Sequence, residues 1–505
     1  MKSKSLSKSR LMAFLQCPRK LWLATYRKEL AVVSPAVEAR FARGHEVGAA
    51  ARSQVPGGLL IEAARDLKRA VRETQDALAT RPQRAVFEAT FSHGDCLVQV
   101  DALIPDGKAH RLCEVKASNS AKPEHAPDCA VQTWVAEGAG IKVSRTELVH
   151  LNRDFVYGGD GDYAGLFTFE VMDDVMRPLL SKVPEWIAES QRVLAGDEPN
   201  IRTGPQCNKP HECPFIDYCK GQEPPGPEYP VTLLPGSDGK ALAKTLAAAG
   251  YIDLREVPRK MVPEGKFRRI WTATRTGKAQ LDRNAAKVIR ALPWPRHYFD
   301  FESIDFAVPR WAGTRPWQQI PFQWSCHIER KDGSVEHKEF LDLSGNNPAR
   351  ACAETMLEAL GTEGAIIVYY ASFETARIRE LAEMLPDLAK PLNALLPRIV
   401  DLLPIVRDHY YHPAMMGSYS IKAVLPTIAP ELDYANLEGV QNGGSAQALY
   451  LEAIDRNPSV SQRLKTLSQL LAYCQRDTEA MRRIASNMNE SNRRRASQPV
   501  AAGLT

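Results

Sequence analysis

The sequence predicts an α/β protein of at least two domains. First, 505 residues exceed what one ordinary core accommodates, and 44% apolar with 25% charged content belongs to a globular chain. Second, short segments alternating apolar and polar residues recur between stretches with helical spacing. Third, Pro224, Pro225, Pro227 and Pro230 punctuate the middle of the chain, and the composition changes again at Arg296. A net charge of +5, from 65 Lys plus Arg against 60 Asp plus Glu, permits a polyanionic partner without demanding one. The apolar run after the basic amino terminus spans only Leu11 to Leu15, too short for a signal-peptide core. No stretch reaches transmembrane length, so the expectation is a cytoplasmic protein with no membrane contact.

In chain order, Ser9 to Arg27 reads as a helix interrupted at Cys17-Pro18, with Leu11, Phe14, Leu15, Leu21 and Trp22 available for one apolar face. A second helix, Ala36 to Arg52, carries Gly44-His45-Glu46. Leu59 to Leu78 is a third amphipathic stretch, and Val86 to Phe91 is a strand. From Cys96 to Lys116 the alternation continues on both sides of Pro105-Asp106-Gly107, which predicts a hairpin. Asp128 to Ala136 has helical spacing, Glu147 to Leu151 reads as a strand, and Asp173 to Leu194 as another helical run. The segment 223–293 is predicted to be a Pro-rich linker and a basic helical connector between domains 1–222 and 294–489. In the latter, His297 to Glu302, Pro321 to Arg330 and Gly364 to Tyr370 read as strands. Phe373 to Met384 and Ser461 to Asn487 read as helices, and 490–505 is expected to be a disordered basic tail.

Side chains in a strand alternate faces, so Asp101 on one arm of the hairpin and Glu114 and Lys116 on the other are placed to converge. Neighbouring carboxylates keep their charge when a cation lies between them, and hard oxygen ligands favour Mg2+ or Mn2+. A lysine beside them completes a set suited to metal-assisted phosphodiester hydrolysis. The plain alternative is an exposed hairpin with ordinary surface charges.

Cys207, Cys213 and Cys219 lie at equal spacing in a Pro-rich polar segment, and Cys17 is the candidate fourth thiol. Four thiolates suit zinc and an iron-sulfur cluster alike. The other six cysteines read as buried free thiols. In the second half, Asp300 and Glu302 share one strand face, while Tyr473 and Asp477 share one helix face.

Leu11-x-x-Phe-Leu-Gln-Cys-Pro-Arg-Lys-Leu-Trp22, Gly44-His45, Asp101, Glu114-Val-Lys116, Gln132 and the three later cysteines, in that order, resemble RecB-like PD-(D/E)xK nucleases of the iron-sulfur type, as in AddB and a CRISPR-adaptation nuclease. The resemblance implies a restriction-endonuclease-like fold. It also implies that His45, Asp101 and Glu114 bind Mg2+ or Mn2+, that Lys116 is catalytic, and that Gln132 positions substrate. By the same resemblance Cys17, Cys207, Cys213 and Cys219 hold an iron-sulfur cluster, with zinc as the runner-up; Glu88, on the strand before the hairpin, stands at a candidate auxiliary position. Ala136 stands where that family carries a Tyr.

Asp300-x-Glu302 followed late by Tyr473-x-x-x-Asp477 resembles the DEDDy exonucleases of the ribonuclease H-like fold. That resemblance implies two divalent ions held by four acids and a water-orienting Tyr473. The family's third acid, an Asp, falls at Glu374, with Asp401 as a substitute; Gly417 to Lys422 is a possible substrate contact or a plain turn. Together these resemblances imply a two-nuclease polypeptide processing DNA ends in repair, recombination or defence, with a helicase or other repair or defence protein as a further partner. The alternative is a nucleic-acid-binding adaptor with one or both nuclease domains inactive.

Overall fold

The computed structural model describes residues 6–33, 35–62, 66–437, 439, 440, 442–455 and 459–489. The basic tail expected at 490–505 lies outside them. The chain is mixed α/β and divides into two compact units, one comprising residues up to Pro224 together with Asp305–Gln318, the other Pro225–Ile304 together with residues from Gln319 onward.

The first unit runs β1 (Leu6–Ser7), α1 (Lys8–Gln16), α2 (Pro18–Tyr26), α3 (Pro35–Ser53), β2 (Leu59–Leu60), α4 (Leu67–Thr80) and β3 (Val86–His93). It continues with the hairpin β4 (Cys96–Asp106) and β5 (Ala109–Lys116), then α5 (His125–Gly138), β6 (Val143–Leu151), β7 (Phe167–Val171), α6 (Asp173–Leu180), α7 (Val183–Ala195) and α8 (Ile216–Gly221). Its sheet has the order β2-β3-β4-β5-β6-β7, with β1 pairing β4. Gly107 turns the hairpin with φ 63°, a conformation that costs glycine nothing. The expected third helix begins only at Leu67, because Leu59 and Leu60 extend the sheet beside Val86 and Phe87. Buried Leu11, Phe14, Val98, Val100, Leu112, Val131, Val135 and Leu148 form the core under α5. Each apolar strand face thus meets the apolar stripe of a helix.

One feature of this sheet sets up a site. The β4–β5 ladder runs from Asp106↔Ala109 to Ala102↔Cys113 and stops one residue short of Asp101 and Glu114. Beyond that rung the early part of β4 pairs with β1 instead, Leu6 opposite Cys96. The strands therefore fork where the acids stand, and Lys8, the residue after β1, enters the fork.

The second unit runs α9 (Gly236–Ala248), α10 (Lys266–Thr276), β8 (Gln280–Leu281), α11 (Asn284–Arg290), β9 (Arg296–Ile304), β10 (Ile320–Glu329), β11 (Val335–Leu341), α12 (Ala349–Leu360), β12 (Ala365–Val368) and α13 (Ser372–Met384). Then follow α14 (Ala389–Leu395), β13 (Ile399–Asp401), α15 (Leu402–His409), β14 (Tyr410–Tyr411), α16 (Ile421–Val424), α17 (Gly443–Asp455) and the long α18 (Val460–Asn489). The main sheet has the order β11-β10-β9-β12-β13. β9, β10 and β11 are antiparallel, while β12 and β13 run parallel to β9. β9 is central, and eight of its nine residues are buried, polar Arg296, His297, Glu302 and Ser303 among them.

Two boundaries differ from the sequence expectation. The stretch read as a connector shares a core with this unit: Val231, Leu254, Phe267, Ile270 and Ile289 pack with Tyr298, Ile367, Tyr411 and Met481. Burial of that apolar stripe outweighs its basic character; Arg268 and Arg269, largely covered, pair with Glu264 and Asp282. Asp305–Gln318, expected with the second domain, groups with the first unit, where the Trp317 indole donates to the Ala117 carbonyl at 3.0 Å.

Candidate metal centres

In the second unit, Asp300 and Glu302 project from one face of β9, and α18 is fastened over that face through β10. Gln323, opposite Glu302, donates to the Leu470 carbonyl at 2.8 Å. Ser325, opposite Asp300, meets the Thr478 hydroxyl at 2.9 Å, and the His327 ring meets the same hydroxyl at 2.8 Å. This anchoring brings Asp477 down onto the strand. Ligand atoms of Asp300, Glu302 and Asp477 all lie within 4.8 Å of one another.

Such crowding has an electrostatic signature. Burial first, then the neighbouring carboxylates, push Asp300 well above the ordinary carboxyl range; burial and Asp477 lift Glu302 to about 8. Burial raises Asp477 to about 6, with Tyr434 and Lys422 opposing the rise. Three carboxyls that resist ionisation together are a set that a divalent cation would relieve. The donor set, all carboxylate oxygen, fits Mg2+ or Mn2+.

Around the three acids stand residues of unequal legibility in the sequence. Tyr473 lines the same cleft, as expected. Glu374 also lines it but stands outside the close group; its side chain is buried, its Oε2 has no hydrogen-bond partner, and burial raises its carboxyl to about 8. Asp401, the expected substitute, stands outside the close group. Its oxygens accept from the amides of Tyr370 at 3.0 Å, Ala371 at 3.1 Å and Leu403 at 2.9 Å. It pins the turn that carries exposed Tyr370 at φ 78° on the rim of the cleft. Tyr434, which no motif flagged, donates its hydroxyl proton to Asp477 Oδ1. Lys422 donates to the Tyr473 hydroxyl at 3.3 Å, its Nζ lying 5.1 Å from the Tyr434 ring centroid and 5.2 Å from that of Tyr473.

In the first unit the expected residues gather differently. His45, Glu88 and Asp101 line one cavity with Arg52. Asp101 Oδ2 accepts the Val115 amide at 2.7 Å, taking a donor that the forked ladder leaves free. Burial and the nearby Glu114 raise Asp101 to about 8. Glu114 itself is buried and fully engaged: Oε1 accepts from Lys8 at 3.0 Å and Lys116 at 2.5 Å, and Oε2 from Lys8 at 3.1 Å and Gln132 at 2.6 Å. Burial alone would raise its carboxyl, but Lys116 and Lys8 outweigh that and hold it well below the ordinary value. Asp128 completes a four-charge cluster, 2.6 Å from Lys116 and 3.3 Å from Lys8. Gln132 and Lys116 thus both meet Glu114. Lys8 and Asp128 went unread, the first lying in a basic run that resembled surface charge, the second one helical turn before Gln132. Among the described residues His45, Asp101 and Glu114 do not form a close group like that of the second unit.

Cys17, Cys207, Cys213 and Cys219 line a single cavity with Leu23 and Phe215. Cys17 sits at the break between α1 and α2. The Gln16 amide donates to the carbonyls of Gln206 at 2.8 Å and His211 at 2.7 Å, and Arg19 pairs with Glu198 at 2.6 Å. These bonds hold the two ends of the unit together around the thiols. All ten cysteines are free; a soft, all-sulfur donor set suits iron-sulfur or zinc.

A family described only as a domain of unknown function, DUF2779, matches residues 297–420. The chain is similar to an uncharacterized protein of Ureaplasma parvum serovar 3, 28% identical over 207 residues, 36% of this chain and 30% of that protein. It is also similar to an uncharacterized protein of Mycoplasma pneumoniae, 29% identical over 203 residues, again 36% and 30%. The chain thus spans about a third of the length of these relatives. Among the described residues no helix is long and apolar enough to cross a membrane.

Proposed function

We propose that this chain is a metal-dependent nuclease acting on DNA ends, with its principal hydrolytic centre at Asp300, Glu302 and Asp477. The observation that carries the reading is the approach of those three carboxylates, Asp300 half-buried and the other two buried, to within 4.8 Å. A divalent ion bound there would activate a water and neutralise charge developing on a scissile phosphate. The chain's own residues supply the rest. Tyr434 fixes the Asp477 carboxylate, Tyr473 offers a hydroxyl to orient water, and the exposed Tyr370 ring offers a face for a base at the rim.

The order β11-β10-β9-β12-β13, with the acids on the central strand and on α18, supports a ribonuclease H-like fold for the second unit. The forked hairpin bearing Asp101, Glu114 and Lys116 supports a PD-(D/E)xK-like fold for the first, and the four-cysteine cavity an iron-sulfur cluster with a structural role. Repair, recombination or defence, with a helicase among the partners, is the setting such an activity fits.

The occupation of Glu114 by Lys8 favours a second reading for the first unit alone, as a nucleic-acid-binding half whose metal site is closed. End-labelled single-stranded and duplex DNA, incubated with Mg2+ or Mn2+, tests both readings. Cleavage that EDTA stops and Asp300→Asn abolishes supports the hydrolytic centre; no cleavage by the wild type refutes it. A Lys8→Ala variant that cleaves faster in an Asp300→Asn background supports the closed first site.

A further inference from the structure

We infer that Lys422 is a built-in second cation of the Asp300, Glu302, Asp477 centre, so that the centre takes one divalent ion and uses the lysine ammonium where a two-ion site would place another metal. The inference rests on the hydrolytic reading above and departs from the two-ion arrangement that the sequence resemblance implies.

Three observations lead to it. The close carboxylate group has three members, and the fourth acid, Glu374, lies in the cleft outside that group with one oxygen unpartnered. Lys422 lines the same cleft, its ammonium between the faces of Tyr434 and Tyr473 and bonded to the Tyr473 hydroxyl. Two aromatic faces and nearby carboxylates attract positive charge at that place, while burial, the larger influence, lowers the Lys422 pKa. Asp477, Glu302 and Asp300, in that order, oppose the effect of burial without outweighing it.

The third observation is that the lysine is held. Gly417, at the start of its loop, has φ 81°, and a Cβ there would stand 1.9 Å from the Leu233 carbonyl oxygen. The Gly417 amide donates to the Tyr411 hydroxyl at 2.9 Å, and the Tyr369 hydroxyl donates to the Tyr419 carbonyl at 2.6 Å. Ser420 then caps α16, whose second residue is Lys422. A lysine placed by such a loop presents a fixed point charge. It can hold a phosphate oxygen without the coordination geometry a metal requires.

The test counts ions in the full chain carrying Asp101→Asn and Glu114→Gln, which neutralise the two carboxylates proposed as metal ligands in the first unit. Mn2+ is titrated and free ion followed by electron paramagnetic resonance, with thermal melts confirming that each variant folds. Otherwise unaltered protein is expected to bind one Mn2+ at this centre, and Asp300→Asn to lose it. Lys422→Gln is expected to bind Mn2+ about tenfold more tightly or to admit a second ion, because a competing charge is gone. Lys422→Arg is expected to keep the original stoichiometry. On end-labelled DNA, Lys422→Gln should slow cleavage about 100-fold, with partial recovery in Lys422→Arg. Two ions in the unaltered centre, or Lys422→Gln indistinguishable from it in ion number and affinity, overturn the inference. If no variant or wild type cleaves DNA, the hydrolytic reading fails, while the ion count still decides the place of Lys422.

Discussion

Glu302 shows how a single buried residue couples ionisation to folding. Its carboxyl titrates near 8 in the folded chain, above the ordinary glutamate value, because burial and Asp477 disfavour its charge. The folded state therefore holds a proton that the unfolded state releases at lower pH. Stability from this source is full below the unfolded pKa and is lost as pH rises through about 8. In metal-free protein the melting temperature is expected to fall between pH 5 and pH 8 by more in the wild type than in Glu302→Gln, compared by scanning calorimetry with EDTA. Mn2+ should restore more stability at pH 8 than at pH 6, since binding needs the carboxylates ionised. A wild type and a Glu302→Gln variant with parallel pH profiles would remove the crowding argument.

Elements, more than residues, decide whether those acids meet. α18 reaches β9 because Gln323 donates to the Leu470 carbonyl in the interior of the unit. Gln323→Leu removes this bond while the carbonyl keeps its place in the helical ladder, and is expected to cost about 0.5–1.5 kcal/mol in urea unfolding, with weaker Mn2+ binding at an otherwise intact triad. Gly417→Ala places a Cβ against the Leu233 carbonyl and a side chain at positive φ. The expected cost is about 1–3 kcal/mol, again by urea unfolding, together with slower DNA cleavage as the Lys422 loop shifts. The central strand and the late helix were legible from apolar runs and helical spacing, as were Asp300, Glu302, Tyr473 and Asp477 from their spacing within them. β7 and β11 were not. Phe167–Val171 and Val335–Leu341 are edge strands with largely exposed or half-buried residues, so neither a buried run nor a clean alternation announces them. Tyr434 and Lys422 were illegible as a pair because tertiary folding alone brings their rings and charge onto α18.

At the scale of the whole molecule, two units carry acidic sites in different states. Motif density favours the first unit, whereas geometry assembles the second more closely. The reason is Lys8: a residue far from the hairpin in sequence occupies Glu114, and no local pattern foretells that. The cysteines were the most legible long-range feature, since Cys17 and the Cys207–Cys219 segment do line one cavity. Cys17→Ser is expected to lower bound iron and visible absorbance in anaerobically prepared protein and to speed proteolysis of the first unit. Cys352→Ser, in the core of the second unit, should leave iron content unchanged. Stoichiometric zinc in colourless wild type would instead assign the cavity to zinc.

The most direct measurement is cleavage of end-labelled DNA in Mn2+ by four proteins side by side: wild type, Lys116→Ala, Asp300→Asn and the double variant. The expected result is cleavage by wild type and by Lys116→Ala, a loss of about 100-fold or more in Asp300→Asn, and none in the double variant. Equal cleavage by wild type and the double variant, or cleavage by neither, would contradict a metal-dependent hydrolytic centre at Asp300, Glu302 and Asp477.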